Sequence, residues 1–141
     1  MKKQGGKTVP RRRLAAKDRP LDTGLKDRYL AADFSAMEKV PCPCGASRRA
    51  FIREDNRICS VHVVEISADS RTHYHKGFTE TYYVLEGEGR LELDGEPLPL
   101  RPGMAVMIRP GTRHRAVPGR SALRILNIVV PPFDPRDEWH D

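Results

Sequence analysis

Along residues 50–141, short runs rich in Val, Ile, Leu and Tyr alternate with Gly, Pro and Asp. Within most runs the apolar positions recur with period two, as half-buried strands require. The pattern predicts strands over 50–53, 58–66, 71–75, 80–86, 90–94, 97–100, 105–109, 114–117 and 123–130. Asp94-Gly95, between two of them, is a favourable hairpin dipeptide. Helix signals are few. Asp27 is placed to cap a short helix carrying Tyr29, Leu30, Phe34 and Met37 that ends before Pro41. So many short strands with so little helix predict an all-β sandwich or small barrel. The tail 131–141 holds three prolines with Phe133 and Trp139. Proline cannot continue a central strand, so the tail is expected to lie across the barrel as an irregular lid.

The first 49 residues read differently. Lys2, Lys3, Lys7 and Arg11-Arg12-Arg13 are interspersed with Gly5, Gly6, Pro10 and Pro20, without apolar periodicity, which predicts a flexible arm over 1–24. The domain reading is therefore a basic arm over 1–49, with room for the short helix or for a strand exchanged with a second copy, followed by a barrel and tail over 50–141. Charge follows the same division. The net charge of +6 resolves into +8 over residues 1–49 and −2 over 50–141. A basic arm on a near-neutral domain is a solvated tail rather than a nucleic-acid-binding surface here, because no aromatic residue precedes Tyr29 to stack on bases.

Composition narrows the class further. A chain of 141 residues has room for one domain, and 38% hydrophobic against 31% charged residues is a water-facing composition. No window approaches 18 uninterrupted apolar residues, which excludes a membrane-spanning helix. The basic N-terminus lacks the apolar run of a signal peptide, and an odd count of three cysteines suits a reducing compartment, so the cytosol is expected.

Candidate chemistry lies in the histidines. His62, His73, His75 and His114 fall in the β region, and His140 in the tail. On a strand, the two imidazoles of His73-Tyr74-His75 point to one face. Glu80 opens the next apolar run, and His114 follows the turn Pro110-Gly111-Thr112. Three imidazoles and a carboxylate on convergent strands suit a divalent first-row metal such as Fe, Mn, Ni, Co, Cu or Zn.

The segment from His73 and His75 through Glu80 to Gly87 resembles the first motif of the cupin superfamily, and Gly103 through Pro110-Gly111-Thr112-Arg113-His114 resembles the second. The resemblance spans about residues 58–130. It implies a double-stranded β-helix, or jelly-roll barrel, with His73, His75, Glu80 and His114 as metal ligands, and a homodimer. Ser67 stands where the first motif usually opens with Gly, Met104 where Asp is frequent, Arg109 where Pro is frequent, and Pro118 where Asn often follows the last ligand. These departures leave the ligand set whole but carry over no particular substrate.

Around this centre, Tyr82 shares strand parity with Glu80 and is expected to face the cavity with Val84. Arg113, beside His114, is the candidate anchor for a substrate carboxylate or phosphate. His62 cannot be assigned to a face from its pattern. Cys42-Pro43-Cys44-Gly45 looks like half of a zinc site, but Cys59 is the sole further cysteine, and free thiols are the reading. The expected function is a cupin-like protein that binds a small polar molecule, a sugar or an organic acid, at one divalent transition metal ion (Fe, Mn, Zn or Ni). Oxygenase chemistry would follow with iron, and isomerase or epimerase chemistry with Mn, Zn or Ni. The alternative is a non-catalytic sensing or binding module of the same fold.

Overall fold

The computed structural model describes residues 28–141. It contains strands β1 (Val40–Cys42), β2 (Gly45–Ala50), β3 (Ser60–Ile66), β4 (Thr79–Glu86), β5 (Gly89–Leu93), β6 (Glu96–Leu100), β7 (Ala105–Ile108), β8 (His114–Pro118) and β9 (Leu123–Val130). The pairings are antiparallel and form two sheets, of order β1-β2-β3-β9-β4-β7 and β6-β5-β8. The last strand, β9, inserts between β3 and β4, which makes an all-β jelly roll, of the class that the strand pattern anticipated and the form that the resemblance to cupins implied. None of the described residues is helical, so none belongs to a helix long and apolar enough to cross a membrane. The hairpin dipeptide Asp94-Gly95 joins β5 to β6 with both residues at positive φ, 50° and 87°.

Strand register explains where the core ends and a cavity begins. On the inner face of the large sheet, Ile66 lies opposite Leu123, and the next row is Ser47, Val64, Ile125 and Val84. Above it come Arg49, His62, Asn127 and Tyr82, then Ser60, Val129 and Glu80. One end of the face is therefore apolar and the other polar. The apolar rows pack against Leu91, Leu100 and Ala116 of the small sheet, with Ile108 of β7, to make the hydrophobic core. Val84, Leu91 and Leu123 are fully buried there, and each such side chain contributes about 1.5–3 kcal/mol.

Several local expectations are corrected. The helix over 29–37 does not form. Asp33 closes a turn instead, its carboxylate accepting the Ser35 N–H (2.9 Å) and hydroxyl (2.6 Å) and its carbonyl accepting the Ala36 N–H (3.1 Å). A short acceptor side chain so close to its targets competes with helical hydrogen bonding. The irregular arm also stops short of residue 49. β1 and β2 pair as a hairpin within the chain, and β2 runs along β3 from Gly45↔Ile66 to Ala50↔Val61. Its sequence hid this because the inward positions Ser47 and Arg49 are polar. The segment 71–75 makes single bridges, His73 to His114 and Tyr74 to Trp139, rather than a ladder. The Lys/Arg-rich run and the Asp27 cap lie outside the described residues.

Candidate metal centre

His73 and His75 sit on the bridged segment that leads into β4, Glu80 near the start of β4, and His114 at the start of β8. The two sheets meet here. His73 and His114 exchange backbone hydrogen bonds (N–H to O, 3.1 and 2.8 Å), and the Gly111 N–H donates to the His75 carbonyl (2.7 Å), so the turn after β7 is tied directly to the first pair of histidines. One donor atom from each of the four side chains falls within 4.8 Å of every other. His73 is half-buried and the other three are buried, Glu80 at 6% exposed and His114 at 1%.

The hydrogen bonds fix which nitrogens face inward. The Nδ1–H groups of His73, His75 and His114 donate to the backbone carbonyls of Arg71 (2.9 Å), Asp137 (2.5 Å) and Thr112 (2.9 Å). With Nδ1 protonated in this way, each Nε2 is left with a lone pair, the form in which imidazole ligates a metal. His114 Nε2 approaches Glu80 Oε2 at 2.9 Å. His75 Nε2 lies 3.3 Å from the same oxygen, yet it lacks a hydrogen bond of good geometry and is a buried polar atom without a partner among the described residues. An orphaned, inward-aimed imidazole nitrogen beside two others and a carboxylate is the donor set of a first-row divalent ion. The residues fit the group.

Electrostatics agree. Burial would raise the Glu80 carboxyl, but the adjacent His114 and His75 imidazoles outweigh it and hold the group well below the usual carboxylate range. Burial lowers His73, reinforced by His114. For His75, burial pulls down while the nearby Glu80 carboxylate prevails and raises it. Asn127 divides the labour on Glu80: its Nδ2 donates to Oε1 at 2.6 Å, leaving Oε2 toward the histidines.

A cavity of about 280 Å³ opens beside the cluster, lined among others by Arg49, His62, Tyr82, Asn127, Phe133 and both Cys42 and Cys44. Tyr82 is where its parity put it, and burial followed by the Glu80 charge pushes its phenol well above the ordinary value. Val84 belongs to the core below rather than to the cavity wall. Arg113 is not brought to this cavity. It lies on the outer side of the rim, where its guanidinium pairs with the Asp141 carboxylate and stacks 4.6 Å from the Tyr74 ring. Arg49 and Arg71 do line the cavity, the Arg71 guanidinium also reaching the Asp141 carbonyl (3.4 Å) at the rim. Arg49 is aimed by Ser47 Oγ (2.9 Å) and by the Phe133 ring (4.8 Å). His62 is buried, 3.0 Å from Ser60 Oγ and edge-on to Phe133, and burial with the Arg49 charge lowers it to about 4.

The tail closes one side of the cavity. Phe133 N–H donates to Ser60 Oγ (3.0 Å), and the Asp137 carboxylate accepts the N–H groups of Lys76 (2.9 Å) and Gly77 (2.7 Å) and the Trp139 indole N–H (2.9 Å). Asn127 and Arg49 carry no motif in the chain, and His62 is a residue whose face the pattern leaves open. A polar residue recurring at an otherwise apolar strand parity, as Asn127 does among Leu123, Ile125 and Val129, is the signal that would have found the first. His62 carried no such signal, since both parities of β3 are largely apolar.

Comparison with known proteins gives this architecture a family. Residues 60–129 match the family described as Cupin domain. The L-ectoine synthase of Aliivibrio fischeri (strain MJ11) is 30% identical over 116 residues, covering 81% of this chain and 91% of that protein. Among solved structures, a protein from Planctomyces limnophilus is 40% identical at a TM-score of 0.74, over 81% of this chain and 98% of that one. Ectoine synthase from P. lautus is 25% identical at a TM-score of 0.64, over 74% and 80% of the two chains. The jelly roll, the two motifs and the gathered His/Glu cluster thus have one explanation: the chain belongs to the cupin superfamily.

Proposed function

We propose that His73, His75, Glu80 and His114 hold one divalent transition ion (Fe, Mn, Zn or Ni) and that a small polar molecule bearing an acid group occupies the adjoining cavity for turnover. The single observation that carries this is the buried His75 Nε2, left without a hydrogen-bond partner and aimed at Glu80 and the other two ligands. When bound, the ion would supply Lewis acidity for isomerase or epimerase chemistry, or, if iron, an oxygenase centre. The chain's own residues supply recognition. Among the described residues no carboxylate pairs with Arg49, so its guanidinium, stacked on Phe133, is available to a ligand carboxylate, with Arg71 beside the histidines as a second cation. Tyr82 stays protonated and is a donor on the cavity wall. Asn127 Oδ1, buried and unpaired among the described residues, is the complementary acceptor for a hydroxyl or amine. Likeness to the L-ectoine synthases supports the enzyme reading. We also infer a homodimer that pairs the outer face of the large sheet.

The test is elemental mass spectrometry on untagged protein beside the His73→Ala/His114→Ala variant, followed by a panel of small organic acids and sugars assayed for turnover. About one equivalent of a single metal, lost in the variant, with multiple turnover of one panel member, is the expected result. Stoichiometric binding without turnover would make the protein a sensing module. No metal uptake by folded wild type would sink the metal reading.

A further inference from the structure

The turn between β1 and β2 carries a feature that the metal centre does not use. Cys42-Pro43-Cys44-Gly45 forms the hairpin end, with Cys42 opposite Gly45. The turn is held from both sides. The Cys44 carbonyl accepts the N–H groups of Ser67 (2.9 Å) and Ala68 (3.2 Å), and Gly45, at φ 147°, presses so close to β3 that a Cβ there would lie 2.1 Å from the Glu65 carbonyl oxygen. Only glycine fits, so the hairpin stays seated. In that frame the two Sγ atoms approach to 3.3 Å and share a hydrogen bond. Both thiols line the cavity, whereas Cys59 does not.

We propose that Cys42 and Cys44 are a redox-active dithiol, a modification site in the cavity wall that a peroxide converts to a 42–44 disulfide. Geometry is the first argument. A disulfide needs the sulfurs at about 2.05 Å, so closure asks for a further approach of little more than one ångström within a turn already folded to receive it. Reactivity is the second. The Cys44 thiol donates to the Cys42 sulfur, burial opposes, and the Arg49 charge adds to the effect, bringing Cys42 down to about 6 while Cys44 is raised. Cys42 is thus the nucleophile at neutral pH, and Cys44 keeps its proton.

The steps balance. The Cys42 thiolate attacks one peroxide oxygen; the S–O bond forms as the O–O bond breaks, and hydroxide leaves, taking up the proton Cys42 had released to become water. The Cys44 sulfur then attacks the Cys42 sulfenic sulfur; the S–S bond forms, the S–O bond breaks, and hydroxide departs with the Cys44 proton as a second water. Two thiols lose two electrons and the peroxide gains them. Small thiols reverse the bond by exchange. Oxidation removes the Cys42 charge from the neighbourhood of Arg49, so the state of the pair sets how strongly that guanidinium attracts an anion. This consequence rests on the small-molecule reading of the cavity; the pair itself is tested independently of it.

Full-length protein is treated with hydrogen peroxide in the presence of a chelator and followed by intact mass and thiol titration. A loss of about 2 Da, a fall from three free thiols to one and a peptide linking residues 42 and 44 are expected in the wild type. The loss should persist in Cys59→Ser and vanish in Cys42→Ser and Cys44→Ser, and a thiol reductant should restore the starting mass. Retention of all three thiols, a lasting gain of about 16 Da without the loss, or linkage through Cys59 would each overturn the proposal.

Discussion

Glu80 is the residue on which the site balances, because its two oxygens answer to different neighbours. Oε2 faces His114 and His75, and Oε1 takes the Asn127 amide at 2.6 Å. In Asn127→Leu the buried Oε1 would lose its donor, at a cost of about 1–3 kcal/mol, and the carboxylate would lose its aim. Metal retention should fall by about 10–100-fold, measured by competition with a chromogenic chelator, while the wild-type sheet register persists. His62 gives a prediction in pH. Its folded value of about 4 lies below the ordinary 6.5, so the unfolded chain binds the extra proton first. Its contribution is therefore complete above pH 6.5 and is lost as pH falls toward 4, by up to about 3 kcal/mol. The urea midpoint of His62→Gln should change less between pH 7 and 4.5 than that of the wild type; equal changes would refute the assignment. That His73, His75, Glu80 and His114 would come together was legible in the chain, because the two motifs that resemble those of cupins carry all four. Asn127 and Arg49 were not, because their roles come from the pairing of strands far apart in sequence, and pairing is not written in either residue.

At the scale of elements, the tail behaves as part of the site. The Asp137 carbonyl orients His75, and its carboxylate gathers three N–H groups from Lys76, Gly77 and Trp139. Asp137→Ala should lower the thermal midpoint by several degrees, consistent with about 1–2 kcal/mol, and should speed hydrogen exchange at the Lys76 and Gly77 amides. Unchanged exchange there would mean that the tail is not held as described. That the tail crosses the barrel was legible from its prolines. What it would hold was not, since a backbone carbonyl leaves no mark in sequence. The β1–β2 hairpin was missed for the opposite reason: its inward positions are polar because they line a cavity, and a strand without an apolar stripe looks like a loop.

The whole molecule presents an apolar stripe on the outside of the large sheet. Thr81 of β4 has Met107 on one side and Ile128 on the other, and the stripe extends to Tyr83 and Val130, ending at β7, the edge strand among the described residues. Met107 is 65% exposed and Val130 49%. A second copy is the expected cover: light scattering should give about twice the 16.0 kDa chain mass. Met107→Asp should shift the mass toward one copy, and a wild-type monomer at micromolar concentration would end the idea.

The row-by-row change of polarity along the inner face also has an evolutionary reading. Val84 and Leu123 lie in the core away from the cavity, Val64, Ile66, Ile125 and Tyr82 serve both core and cavity wall, and Arg49, His62 and Asn127 face the cavity. Substitutions at Arg49, His62 and Asn127 change what the cavity presents to a ligand while leaving that apolar packing in place. A lineage built this way can explore new ligands through those three positions, whereas Val64, Ile66, Ile125 and Tyr82 answer to selection for folding and for binding at once.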